Sequence, residues 1–163
     1  MKSLVALLVA FLLLVPLARA QAPSDAKGVD THKFGKAEYL PSTTTGQIKA
    51  GNPVKGTLFF DNDKKAVTFL QESGSSLLDI KYDAIKSMMY EKANKPRYAE
   101  AVLISPLFLL SHAKKHYLTF QYTDPASNEG KYAIVHLDKK NAREAVACAE
   151  AQTGKKVEQI AEK

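Results

Sequence analysis

The side chains that could do chemistry are concentrated in one stretch. His112, Lys114, Lys115 and His116 stand almost side by side, with Arg97 upstream of them. Cations and imidazoles so close together suit an anion, which they would meet through charge-assisted hydrogen bonds, and mild acid would add charge as the imidazoles protonate. Histidines four apart come close enough to hold one ion on a helix, whereas on a strand they are about 13 Å apart. No Glu or Asp lies between His112 and His116 to act as base or further ligand in the zinc-hydrolase manner, and the segment reads as a basic turn, so no metal is expected there. His136 falls in a predicted strand, able to face the same side as Ile134, and His32 lies far upstream.

Covalent and acid–base catalysis find less support. The chain has no Gly-x-Ser-x-Gly elbow, no phosphate loop and no Cys-x-x-Cys pair. Its one cysteine, Cys148, lies within Ala145-Val146-Ala147-Cys148-Ala149 with no adjacent histidine, which reads as a packed, inert thiol. Asp79 and Asp83 are spaced for a strand end and a turn, not for convergence on one bond. No catalytic residue and no cofactor are therefore expected. The expected binding set is Lys114, Lys115, His112, His116 and Arg97.

The elements that must carry these residues begin after an export signal. Lys2 precedes an apolar run over residues 4–17, and Ala18-Arg19-Ala20 offers a small-x-small cleavage site before Gln21. That run is shorter than the roughly 20 residues of a spanning helix, so removal is expected, with no transmembrane span left and a periplasmic or secreted location. Losing Lys2 and Arg19 from the 163-residue chain takes 23 basic residues to 21 against 17 acidic ones, a net charge of +4 in place of +6. Such an excess is too small for a nucleic-acid binder. Residues 86–116 hold all of it: Lys86, Lys92, Lys95, Arg97, Lys114 and Lys115 against Glu91 and Glu100. With one cysteine there is no internal disulfide, and an exported domain must rest on its core.

Residues 21–52 are rich in Gly, Pro, Ser and Thr and read as a flexible leader with one short edge strand over 36–40. Alternation then marks Gly56-Thr57-Leu58-Phe59-Phe60, a polar turn at Asp61-Asn62-Asp63-Lys64-Lys65, and Ala66-Val67-Thr68-Phe69-Leu70. Leu78, Ile80 and Tyr82 make a third strand of this body and Ser87-Met88-Met89-Tyr90-Glu91 a fourth, before a break at Asn94-Lys95-Pro96. The apolar stretch over 102–110, split by Pro106, reads as two short buried segments about a bend, or else as a loop inserted into a lipid surface or another protein. Tyr117-Leu118-Thr119-Phe120-Gln121-Tyr122 and Tyr132-Ala133-Ile134-Val135-His136-Leu137 are the last strands of about seven. A helix follows, capped by Asp138 or Asn141, with a narrow face of Ala142, Ala145, Val146, Ala149 and Gln152, and stopped at Gly154. Residues 155–163 form a charged tail that extends the helix or frays.

This order resembles the pleckstrin-homology-like superfamily, particularly its bacterial and GRAM-type members. The resemblance is carried by Gly56-Thr57-Leu58-Phe59-Phe60 with Val67-Thr68-Phe69, and by Leu78-Asp79-Ile80-Lys81-Tyr82-Asp83-Ala84-Ile85-Lys86-Ser87, where the isoleucine of a Tyr-x-x-Ile string packs beneath the sheet. It covers residues 53–154. It implies a mainly β fold, a seven-stranded antiparallel barrel or sandwich of four strands and three, capped by one C-terminal helix. It also implies a scaffold for binding lipids or peptides, usually without catalysis. Phosphoinositide-binding members carry a basic first hairpin, whereas here Asp61 and Asp63 offset Lys64 and Lys65, and that ligand is set aside.

Two functions are compatible with these readings. One is a non-catalytic binding module of the cell envelope, contacting a protein or an anionic membrane surface through the basic side over 86–116. The other is a small exported enzyme or apolar-ligand carrier with a pocket at the barrel mouth near His136 and Tyr122. An interior filled by Leu58, Phe60, Phe69, Leu78, Ile80, Leu118 and Phe120 would leave the carrier no room.

Overall fold

A computed structural model describes residues 31–42, 49–99 and 113–161. It is mainly β: β1 (Thr31–Leu40), β2 (Val54–Asp61), β3 (Ala66–Gln71), β4 (Ser76–Lys81), β5 (Ile85–Ala93), β6 (Lys115–Thr123), β7 (Gly130–Leu137), α1 (Ala142–Thr153) and β8 (Val157–Ile160). The strands form one sheet of eight in the order β4-β3-β2-β1-β7-β6-β5-β8. Neighbours run antiparallel except β8, which joins β5 in parallel. Among the described residues no helix is long and apolar enough to cross a membrane.

The β2–β3 hairpin forms where the alternation predicts it. Phe60 pairs with Val67 and Leu58 with Phe69, and all four are fully buried. Its turn is held by the Lys64 backbone N–H donating to Asp61 Oδ1 at 2.9 Å. Gly56 is required here, because a Cβ at this position would strike the Leu70 carbonyl oxygen and the Phe69 ring. Leu78, Ile80 and Tyr82 are buried together, and Ile85 of the Tyr-x-x-Ile string is 1% exposed.

Three expectations require correction. The described residues form eight strands, not seven: the segment expected to be a charged tail supplies β8, whose Val157 is buried beside Met88. The sheet is open rather than a closed barrel, with β4 and β8 at its two ends. It nevertheless folds over one core, since Phe60 of β2 and Phe120 of β6 bring their rings to 6.3 Å although three boundaries of the sheet separate their strands. The short edge strand expected over 36–40 is the ten-residue β1, lying between β2 and β7 in the middle of the sheet. β1 carries a bulge between Phe34 and Ala37, where Lys36 adopts a left-handed φ of 55°, and it pairs with β7 beyond that bulge, over Glu38 to Leu40.

All seven residues expected to fill the interior are buried in one cluster. α1 closes over it with Ala142, Ala145, Val146, Cys148 and Ala149, and Gly154 caps its end at φ 67°. Asn141 occupies the N-cap, but its side chain makes no capping bond and donates instead to the Gly35 carbonyl at 3.1 Å, tying the helix start to the bulge of β1. The apolar stretch over 102–110 lies outside the described residues.

Candidate functional site

The end of β5 and the approach to β6 build a cationic cleft of about 330 Å³. Lys92 belongs to the strand, Lys95 and Arg97 to the turn that follows, and Lys114 to the chain just before β6. Pairing of Ala93 with Lys115 across the β5–β6 ladder brings these pieces together. Ala93 and, from the end of β8, Ile160 and Ala161 complete the wall. Among the described residues, one carboxylate lies with the cations: Glu91, 5% exposed, whose Oε1 accepts a hydrogen bond from the Arg97 backbone N–H at 2.7 Å.

The back of the same turn rests on the outer face of the sheet. Ala99 is buried with Leu40, Tyr117 and Ile134, and the Tyr98 ring stacks on Tyr132 at 4.3 Å. The Ala99 N–H donates to the Pro96 carbonyl at 3.0 Å.

Of the five residues proposed from sequence, Arg97 and Lys114 meet in this cleft, joined by Lys92 and Lys95. Lys115 and His116 do not share one surface, because β6 begins at Lys115 and not after a turn, and successive strand residues point to opposite faces. Lys115 shares its face with Tyr117 and acts on Glu38. His116 shares its face with Leu118 and stacks on Tyr90, with Tyr90 Oη 2.5 Å from Nδ1. Burial, with Lys92, His136 and Lys139 nearby, holds the His116 imidazole below its ordinary value. Mild acid therefore adds less charge at His116 than its type suggests. His112 lies outside the described residues.

A second polar group occupies the outer face. His136 Nδ1 donates to Glu38 Oε2 at 2.9 Å, and the Tyr117 ring packs against His136. The hydrogen bond from His136, opposed by partial burial, holds the Glu38 carboxyl below the usual carboxylate range. Burial pushes the Tyr117 hydroxyl upward, so it stays protonated. Tyr122 packs against the main core on the other face, so His136 and Tyr122 do not line one pocket.

A further cleft of about 330 Å³ lies between β5, α1 and β8, with Tyr90 and Val146 on its floor and Arg143 at its rim. It escapes sequence reading because β8 makes one wall. There the Val157 N–H donates to Glu150 Oε1 at 2.8 Å. The first hairpin is as electrically balanced as its composition indicates, with Lys64 Nζ 3.4 Å from Asp61 Oδ2. Among the described residues no group of three or more His, Cys, Asp and Glu is gathered for a metal ion. No protein-family model and no curated protein matches this chain.

Proposed function

We propose that the chain is an exported, non-catalytic binding module with a pleckstrin-homology-like body, which engages an anionic surface of the cell envelope through the cleft at the end of β5. The observation that carries this reading is convergence: Lys92, Lys95, Arg97 and Lys114 come from three separate pieces of backbone and line one cleft. Each cation near an anionic bilayer contributes on the order of 1 kcal/mol, so four together amount to about a thousandfold in affinity.

The family part of the reading is supported by the order of four antiparallel strands, three more and a helix, and by the burial of Tyr82 and Ile85. β8 departs from that pattern. The export part is supported by the lysine, apolar run and small-x-small site of residues 1–20. A filled interior turns the activity toward the surface.

The test is sedimentation of the processed protein with phosphatidylglycerol vesicles and with phosphatidylcholine vesicles. Binding is expected to the first alone, and to be lost in about 0.5 M salt, where the screening length falls to about 4 Å. Arg97→Glu with Lys114→Glu abolishes it, whereas Lys64→Glu, in the exposed β2–β3 turn, retains most of it. Equal binding to both vesicles, no binding to either, or a Lys64→Glu protein as impaired as the double variant overturns the proposal.

A further inference from the structure

A carboxylate inside an anion-binding cleft needs a reason. Glu91 lines the cleft with the four cations, and its negative charge lowers the potential an incoming anion would meet. It is also 5% exposed, and burying a charged carboxylate is costly unless it is hydrogen-bonded. Its partner is the Arg97 backbone N–H at 2.7 Å, so the bond ties the strand to the turn that displays Lys95 and Arg97. The far end of that turn is anchored separately, by the Tyr98–Tyr132 stack and by Ala99 at 2% exposure. Glu91 therefore supplies the near anchor and Tyr98 with Ala99 the far one.

We propose that Glu91 is the positioning residue of the cleft: its carboxylate holds the turn over 94–97 in the shape that presents the cations, at the expense of part of the attraction for the anion. This rests on the cleft being an anion site. A turn fixed before the ligand arrives spares the ligand the entropy of ordering it. The bond requires only an acceptor oxygen, while the opposing effect requires the negative charge, so one side chain performs two separable actions of opposite sign.

The experiment compares Glu91→Gln with Glu91→Leu in the processed protein, reading the dissociation constant for phosphatidylglycerol vesicles and the hydrogen exchange of the Arg97 amide. Glutamine keeps an acceptor oxygen and removes the charge, so it is expected to protect the Arg97 amide and bind as tightly as the parent or a few-fold tighter. Leucine removes both, so the amide exchanges freely and binding weakens by about tenfold, as when a ligand must order a loose loop. A glutamine variant weaker than the parent overturns the inference, and it decides the matter even where the leucine variant does not fold. A folded leucine variant that binds as well as glutamine overturns it too. Failure of the parent protein to bind overturns the reading of the cleft itself, a result distinct from either.

Discussion

Lys36 shows what a single residue can be made to endure. A side chain at φ 55° costs about 1–2 kcal/mol against a right-handed or extended backbone, whereas glycine accepts the angle freely but loses more entropy on folding. Lys36→Gly should therefore raise stability by about 0.5–1 kcal/mol in urea unfolding, with the unfolding slope unchanged. Proton linkage acts through other single residues. His116 is held below its ordinary value of 6.5, so the unfolded chain takes the proton first. Stability present above that pH is then lost as the pH falls from about 6.5. Glu38 repeats this lower down, losing its contribution below its ordinary value of 4.5. At the alkaline end, burial pushes the Tyr39 hydroxyl up to about 12. The unfolded chain then ionises first, and stability declines above about pH 10. Urea midpoints measured across this range should show a plateau from about pH 7 to 9.5, a first acid step absent in His116→Gln, and a second that remains.

At the scale of elements, β8 and β1 carry the lessons. β8 covers the edge of β5, buries Val157 and furnishes Ile160 and Ala161 to the cationic cleft. A chain ending at Gly154 should lose about 2 kcal/mol of stability, the worth of one buried valine with its ladder bonds, and bind phosphatidylglycerol vesicles more weakly. A truncated protein as stable and as tightly bound as the parent would show β8 to be dispensable. β1 was legible only over 36–40 and β8 not at all, for physical reasons. In β1 the bulge sets Phe34 and Ala37 three apart on the same side of the sheet, so a period of two fails at the middle of the strand. In β8, Val157 and Ile160 are also three apart, but they face opposite sides of a strand whose place is fixed by the distant edge of β5. Where turn and alternation agree, as at Leu58, Phe60, Val67 and Phe69, the hairpin could be read directly. Arg97 and Lys114 were legible as cations. That Lys115 and His116 diverge depended on starting β6 two residues earlier than Tyr117, which its pairing with Ala93 accomplishes. Glu91 gave no sequence signal beyond being an acid within a basic stretch, because its role depends on where the Arg97 amide points.

Across the whole molecule, one core joins the two halves of the sheet, and the rings of Phe60 and Phe120 stand at the join. Phe120→Ala should cost about 3–5 kcal/mol, a large share of the 5–15 kcal/mol typical of a domain. Because both halves share the loss, near-ultraviolet and far-ultraviolet circular dichroism should report a single coincident transition at a lower urea midpoint. Two separated transitions would mean that the halves are independent units. The place of β1 also bears on synthesis. The earliest of these strands to leave the ribosome must wait for β7, nearly a hundred residues later, before its second edge acquires a neighbour, as the pairing of Tyr39 with Val135 shows. Until then a growing polypeptide holds a bare template for pairing with strangers, so translocation before folding would spare it a hazard that folding on the ribosome would prolong.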